Sequence, residues 1–287
     1  MLKQRVITAV VLLLILLPAL FYRSPEPFSL VALVLIAAAG WELGRLLAYP
    51  QATSVLIGLG CAGACLVAWW SGLLHRPLAA LWALAGGFWV LAGAWLLRGG
   101  VSAWTRLPRW LRLAAGATLL CLAWLAIAQA RVVGVNFLLS VLLLVWVADI
   151  GAYFAGRALG GKFSAGKLAP SISPGKSWEG VWGGMAGVLI LALVWRWADA
   201  ALQPPVPSLY SDLYSRSPVV LVLAVLFMAS MSVVGDLIES LVKRGANAKD
   251  SSGLLPGHGG VLDRVDALLP TLPLAMMLTS QTAPLLL

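Results

Sequence analysis

Nine apolar runs divide this sequence, at residues 6–22, 28–48, 53–71, 78–97, 111–129, 132–154, 178–198, 218–242 and 261–280. A helix needs roughly 20 apolar residues to cross the hydrocarbon core of a bilayer, and no run departs far from that length. Such a chain has few folds open to it. Hydrophobic residues make up 61% of the 287 and charged residues 11%, and the mean hydropathy of +0.94 lies outside the balance of soluble domains. Many tryptophans, among them Trp69, Trp70, Trp104, Trp110, Trp195 and Trp197, fall near run ends, which suits rings sitting at headgroup level. The predicted fold is all-α, a polytopic membrane protein of about nine transmembrane helices.

An odd number of runs puts the termini on opposite sides, and charge decides which is which. With the N-terminus inside, Lys3, Arg5, Arg45, Arg98, Arg106, Arg109, Arg112, Arg157, Lys162, Lys167, Lys176, Lys243, Arg244, Lys249 and Arg264 fall on the inner side, and Arg23, Arg76, Arg131, Arg196 and Arg216 on the outer. The inner set holds most of the 20 basic residues, so the positive-inside rule predicts a cytoplasmic N-terminus. Lys3 and Arg5 ahead of the first run resemble a signal peptide, but no small-x-small cleavage site follows, and the run reads as a retained span. The net charge of +9 does not point to nucleic acid, because the cations lie in short loops between apolar runs and not on a folded polar face with stacking aromatics. That pattern suits topology control and contact with anionic lipid or nucleotide phosphates. Cys61, Cys65 and Cys121 lie inside apolar runs without metal-ligand spacing to histidine, and read as packing residues.

On this topology the two most polar loops, 155–178 and 243–260, both face the cytoplasm, while the Pro- and Ser-rich segment 199–217 is an outer connector. Residues 1–131, nearly free of ionisable groups within runs, read as a structural scaffold. Residues 132–287 read as the catalytic region, with Asp149, Glu179, Asp236, Glu239, Asp263 and Asp266 at run ends. A charged side chain near the bilayer centre costs about 2.5–3.5 kcal/mol on insertion scales, so such carboxylates face a cavity and bind something. Asp236, Glu239, Ser240 and Lys243 share one helical face by spacing. Asp263 and Asp266, at i and i+3, suit a hard cation such as Mg2+ completed by phosphate oxygens and water. Between these pairs, Lys243-Arg244, Lys249-Asp250 and the turn Pro256-Gly257-His258-Gly259-Gly260 offer cations and backbone amides to an anion, beside a helix N-terminus. Together these groups describe a polyphosphate site.

The stretch SLVKRGANAKDSSGLLPGHGGVLDRVD, Ser240 to Asp266, resembles the signature of phosphatidate cytidylyltransferases throughout, and ADIGAYFAGR around Asp149 and SPGKSWEG from Ser173 to Gly180 support the likeness upstream. WELGRL at Trp41 to Leu46 is similar too, although Glu42 within it reads as interfacial and not catalytic. The resemblance implies a magnesium-dependent transfer of a cytidylyl group from CTP to phosphatidate, giving CDP-diacylglycerol and pyrophosphate, in a bacterial inner membrane with the site facing the cytoplasm. It implies metal binding by Asp236, Asp263 and Asp266, with a second cation left open. Lys176, Lys243, Arg244, Lys249 and Arg264 would hold phosphates or stabilise charge on departing pyrophosphate, and Asp250 and His258 join the catalytic group. Asp149, Ser173, Ser177, Glu179, Ser240, Gly259 and Gly260 complete the substrate-binding set with Lys176. The implied partners are CTP, phosphatidate and membrane lipid, without nucleic acid, and a homodimer is left open.

Two stretches imitate a phosphate-binding P-loop. GKFSAGKL at 161–168 carries Leu168 where Ser or Thr should hold magnesium, and SPGKS at 173–177 has Pro170 at the first glycine position. An ion-coupled transporter is the alternative from another class, since intramembrane acids mark ion pathways. Against it, the acids cluster towards inner helix ends and no internal repeat is visible. A transferase that consumes CDP-diacylglycerol would carry a differently ordered acidic motif.

Overall fold

The computed structural model describes residues 2–164 and 166–279, with side chains from Gln4 onward. The side chain of Lys3, Ala165 of the first P-loop imitation, and Ser280 at the end of the ninth run lie outside the described residues. The elements are α1 (Leu2–Phe21), α2 (Glu26–Leu46), α3 (Gln51–Trp70), α4 (Ala79–Arg106), α5 (Arg109–Val133), α6 (Val135–Leu159), β1 (Lys167–Ala169), β2 (Ser173–Ser177), α7 (Trp178–Leu202), α8 (Leu209–Arg216), α9 (Pro218–Gly245), α10 (Leu262–Val265) and α11 (Leu268–Thr279). The chain is an all-α polytopic membrane protein, with one two-stranded hairpin. Proline fixes several helix starts: Pro25, Pro50 and Pro108 precede α2, α3 and α5, and Pro218 opens α9, where its missing N–H breaks no helical bond. Ser177 and Ser208 cap α7 and α8 through their hydroxyls.

Among the described residues eight helices, α1–α7 and α9, are long and apolar enough to cross a membrane. Among the described residues the ninth run is not one continuous helix: its polar start forms α10, a break follows at Asp266, and α11 is described over 12 residues to Thr279. The chain also turns later than the apolar runs suggest. α4 continues to Arg106 through a kink at Gly100, and α6 to Leu159, so Arg157 is helical. The expected connector 199–217 is another correction. It folds into α8, whose Leu209, Tyr210 and Leu213 are fully buried, because Asp199 accepts from the Ser208 amide and from the hydroxyls of Ser208 and Ser211.

Outward-facing apolar side chains such as Leu14, Leu91, Ile190 and Trp197 are well exposed, as a lipid solvent allows. Inside, α6 lies tightly on α7: a Cβ on Gly151 would sit 2.8 Å from the Gly183 carbonyl, and one on Gly184 2.7 Å from that of Ala148. Small residues at the seam permit that approach where apolar burial gives helices no reason to associate. Interhelical hydrogen bonds define two ends. At one, the Arg131 guanidinium donates to Leu20 and Tyr22 carbonyls, and Gln129 to those of Leu73 and Arg76. At the other, Arg5 and Thr8 of α1 donate to the carbonyls of Gly257 and Pro256. Loops 160–177 and 246–261 share this second end with the start of α1 and the end of α2.

Candidate active site

The last turns of α9 present the face its spacing predicts. The Ser240 hydroxyl donates to Asp236 (3.4 Å), and the Lys243 ammonium pairs with Glu239 at 2.5 Å. Just before Asp236, Gly235 meets the break between α10 and α11. A Cβ there would fall 2.5 Å from the Asp266 carbonyl and 2.9 Å from the Pro270 ring, so only glycine lets α9 approach that joint. Asp236 and Asp266 thereby become electrostatic neighbours, with Asp149 of α6 as a third carboxylate in range. Into this acidic group Lys176 reaches from β2 and forms an ion pair with Asp236, and Arg264 also lies within range of Asp149. Asp266 accepts from the Ala267 amide (2.8 Å).

Asp263 points elsewhere. Its carboxylate accepts from the amide and hydroxyl of Ser251 (2.9 and 2.7 Å), the Gly260 amide (2.7 Å) and the Lys243 ammonium (2.6 Å). Burial alone would raise its pKa, but hydrogen bonds from Lys243, Gly260 and Ser251 outweigh it and hold this carboxyl well below the usual range. Three of these donors fall on Oδ2 and only Lys243 on Oδ1, so Asp263 is tied to the loop through Oδ2 while Oδ1 keeps a lone pair for a further ligand.

Glu42, read from the sequence as interfacial and not catalytic, is fully buried within the protein. From α2 it accepts from the amides of Val261 (2.9 Å) and Leu262 (2.7 Å) and from the hydroxyls of Ser251 (3.3 Å) and Ser252. The amides of Gly260, Val261 and Leu262, which the glycine turn was expected to offer to a phosphate, are thus filled by two carboxylates of the chain itself. Gly260 is wedged among them, since a Cβ would lie 2.1 Å from the Ser251 hydroxyl and 2.3 Å from Glu42. Gly259, at φ 83°, closes the turn by accepting from the Leu255 amide (2.8 Å).

The remaining predicted residues divide between framework and rim. Ser173 and Ser177 lie on β2, and Ser177 caps α7. Glu179, buried, binds the amides of Phe163 and Ser164 and the Ser164 hydroxyl, tying the 160–166 loop to α7. Arg264 donates through two nitrogens to the His258 carbonyl, and Arg244 to that of Ile172. Lys249 and Asp250 are exposed on the loop. Among the described residues no three acidic, histidine or cysteine side chains are arranged as a ready metal site. The donor chemistry nevertheless suits a hard cation at Asp236 and Asp266: carboxylate oxygens are its natural ligands, and Asp149, Asp236 and Asp266 lie within electrostatic range of one another and of the Lys176 ammonium.

A sequence profile of the Cytidylyltransferase family matches residues 3–281. The chain belongs to the cytidylyltransferase family. It is 38% identical over 277 residues to the phosphatidate cytidylyltransferase of Pseudomonas aeruginosa, covering 95% of each chain. With that of Haemophilus influenzae the identity is 36% over 293 residues, covering 95% and 96%. The enzyme of the same name from Bacillus subtilis is 39% identical over 140 residues, about half of each chain. In this cytidylyltransferase, the site residue that sequence reasoning missed is Glu42, and its signal was that it is the one Asp or Glu inside an apolar run of residues 1–131.

Proposed function

We propose that this chain transfers the cytidylyl group of CTP to phosphatidate, releasing pyrophosphate and forming CDP-diacylglycerol. The observation that carries the reading is the acidic group Asp149, Asp236 and Asp266 with Lys176 among it, at the end of a membrane bundle whose full-length relatives are phosphatidate cytidylyltransferases. A phosphate oxygen of phosphatidate attacks the α-phosphorus of CTP, and the bond from that phosphorus to the bridging β-phosphate oxygen breaks. The nucleophile is a phosphomonoester, largely ionised near neutral pH, so the protein needs no strong base. Its task is to bring two polyanions into line and offset their charge.

Lys176 leaves Asp236 to take a phosphate, and Arg244, Lys249 and Arg264 line the approach as further cations. Lys243, held between Glu239 and Asp263, fixes the distance between α9 and the loop. Mg2+ held by Asp236 and Asp266, with Asp149 beside them, would neutralise phosphate oxygens and draw electron density from the reacting phosphorus. Asp263 would join this set through Oδ1, which accepts from Lys243 alone. The shared end of loops 160–177 and 246–261, together with the basic residues gathered there, supports a cytoplasmic site in a bacterial inner membrane. Purified protein given CTP labelled in the cytidine, phosphatidate and Mg2+ should form a lipid-soluble labelled product. Label remaining wholly aqueous would reject the activity.

A further inference from the structure

Helix α1 is held to the bundle at its two ends by different means. Its buried residues, Ala19 and Leu20, sit at the end away from the site loops, where Arg131 donates to the Leu20 and Tyr22 carbonyls. From Gln4 to Pro18 no residue of the helix is buried. Near its start, however, Arg5 Nε donates to the Gly257 carbonyl and the Thr8 hydroxyl to that of Pro256, each at 2.9 Å.

Both partners are shaped for this contact. Arg5 and Thr8, at i and i+3, share one helical face. A threonine within a helix can bond back to its own backbone, as Thr105, Thr271 and Thr279 do to carbonyls four residues earlier, whereas Thr8 reaches across to the loop. On the loop side Gly257 takes φ 77°, and a Cβ there would lie 2.8 Å from Arg5 Cγ and 3.3 Å from the Arg5 backbone nitrogen, so a side chain at 257 would push the turn off α1.

The next residue links the contact to the site. The His258 carbonyl accepts from Arg264 Nε (3.0 Å) and Nη2 (2.6 Å), which commits one edge of the planar guanidinium and leaves the Nη1 edge for a phosphate oxygen. Among the described residues, Arg5, Thr8 and Arg264 supply the hydrogen bonds that tie Pro256, Gly257 and His258 to other elements. A shift of the turn therefore shifts the anchor of Arg264.

We infer that Arg5 and Thr8 are positioning residues: α1 straps down the Pro256–His258 turn and so fixes the guanidinium of Arg264 for a substrate phosphate. This inference rests on the proposed cytidylyl transfer, in which Arg264 is one of the phosphate-holding cations.

The test uses the full-length protein in nanodiscs, with two readouts. Thr8→Val removes the hydroxyl at nearly constant size, Thr8→Ser keeps it, and Arg5→Ala removes the other bond. In hydrogen exchange read by mass spectrometry, the Leu255 and His258 amides, whose bonds to the Gly259 and Leu255 carbonyls close the turn, should exchange about fivefold faster in Thr8→Val or Arg5→Ala and about 25-fold faster in the double variant, at about 1 kcal/mol per bond. The Val261 and Leu262 amides, held by Glu42, should keep their wild-type rates, and so should the whole loop in Thr8→Ser. Wild-type exchange at Leu255 and His258 in both Thr8→Val and Arg5→Ala overturns the strap.

The second readout is a double-mutant cycle on kcat/KM with Arg264→Ala. Alone, Thr8→Val should lower kcat/KM by up to fivefold, in whichever of kcat and KM Arg264→Ala also alters, and Thr8→Ser should restore it. In the Arg264→Ala background Thr8→Val should change nothing further. A loss of the same size in both backgrounds would leave Thr8 a merely structural contact and overturn the link to Arg264. Absence of a lipid-soluble cytidine product from wild-type protein would instead reject the proposed activity, and the exchange rates decide the strap independently of it.

Discussion

Replacing Glu42 by glutamine changes one oxygen of a buried side chain into an amino group at nearly constant volume, which isolates its role in holding the site loop. The carboxylate now accepts two amides and two hydroxyls. Glutamine can keep its carbonyl oxygen on the Val261 amide and the Ser252 hydroxyl, and can donate to the Ser251 hydroxyl. Its amino group then faces the Leu262 amide, donor against donor, in a site with no room for water. A hydrogen bond to a charged group contributes about 1.5–3 kcal/mol, and a buried amide left unpaired costs a similar amount. The loop should therefore open more easily by about 2–3 kcal/mol, which at 1.36 kcal/mol per decade is roughly 30- to 150-fold. Hydrogen exchange read by mass spectrometry on the protein in nanodiscs should show that increase at the amides of 260–262, with the helix cores unchanged. Because Asp263 and Lys243 depend on the same loop, kcat/KM should fall by up to the same factor. Glu42→Ala should be worse, since it leaves the Val261 and Leu262 amides and the Ser252 hydroxyl unmet. Wild-type exchange and turnover in Glu42→Gln would refute the assignment of this residue to the loop.

Asp266→Asn keeps the bond to the Ala267 amide but removes a charge from the proposed cation site, so turnover should fall by about two to four orders of magnitude, with partial recovery in excess Mg2+ or Mn2+; a near-normal rate with an unchanged Mg2+ titration would move the ion elsewhere. Lys176→Ala should raise the KM for CTP or phosphatidate while the protein elutes from a sizing column as the wild type does, and unchanged kinetics would leave Lys176 as a partner of Asp236 alone. Leu254→Cys, exposed in the loop, should react with an impermeant maleimide in inverted vesicles and not in intact cells; the reverse would invert the topology.

Periodicity and charge spacing made the bundle legible, because an apolar run of span length has little choice but to be a helix. They failed where polar contacts decide. Nothing local in 199–217 announces α8, whose start depends on Asp199 reaching forward to Ser208 and Ser211. The break at Asp266 has no glycine or proline at it to announce it, and it is met by close contact with Gly235 of another helix. Within the site, i, i+3 spacing paired Asp263 with Asp266, yet the structure turns one toward Lys243 and Ser251 and sets the other beside Asp236. Helical spacing fails across a four-residue helix that ends between them. Glu42 could not be placed from its neighbours in sequence, since all its partners lie more than 200 residues away.

The central claim is that the bond broken in CTP lies between the α- and β-phosphates and that the lipid phosphate is the nucleophile. Parallel reactions with CTP labelled at the α- or the γ-phosphorus, each with purified protein, phosphatidate and Mg2+, test it most directly. The α-label should pass into the lipid phase and the γ-label should appear only as aqueous pyrophosphate, both requiring phosphatidate. Transfer of the γ-label to lipid, or pyrophosphate release without phosphatidate, would contradict the account.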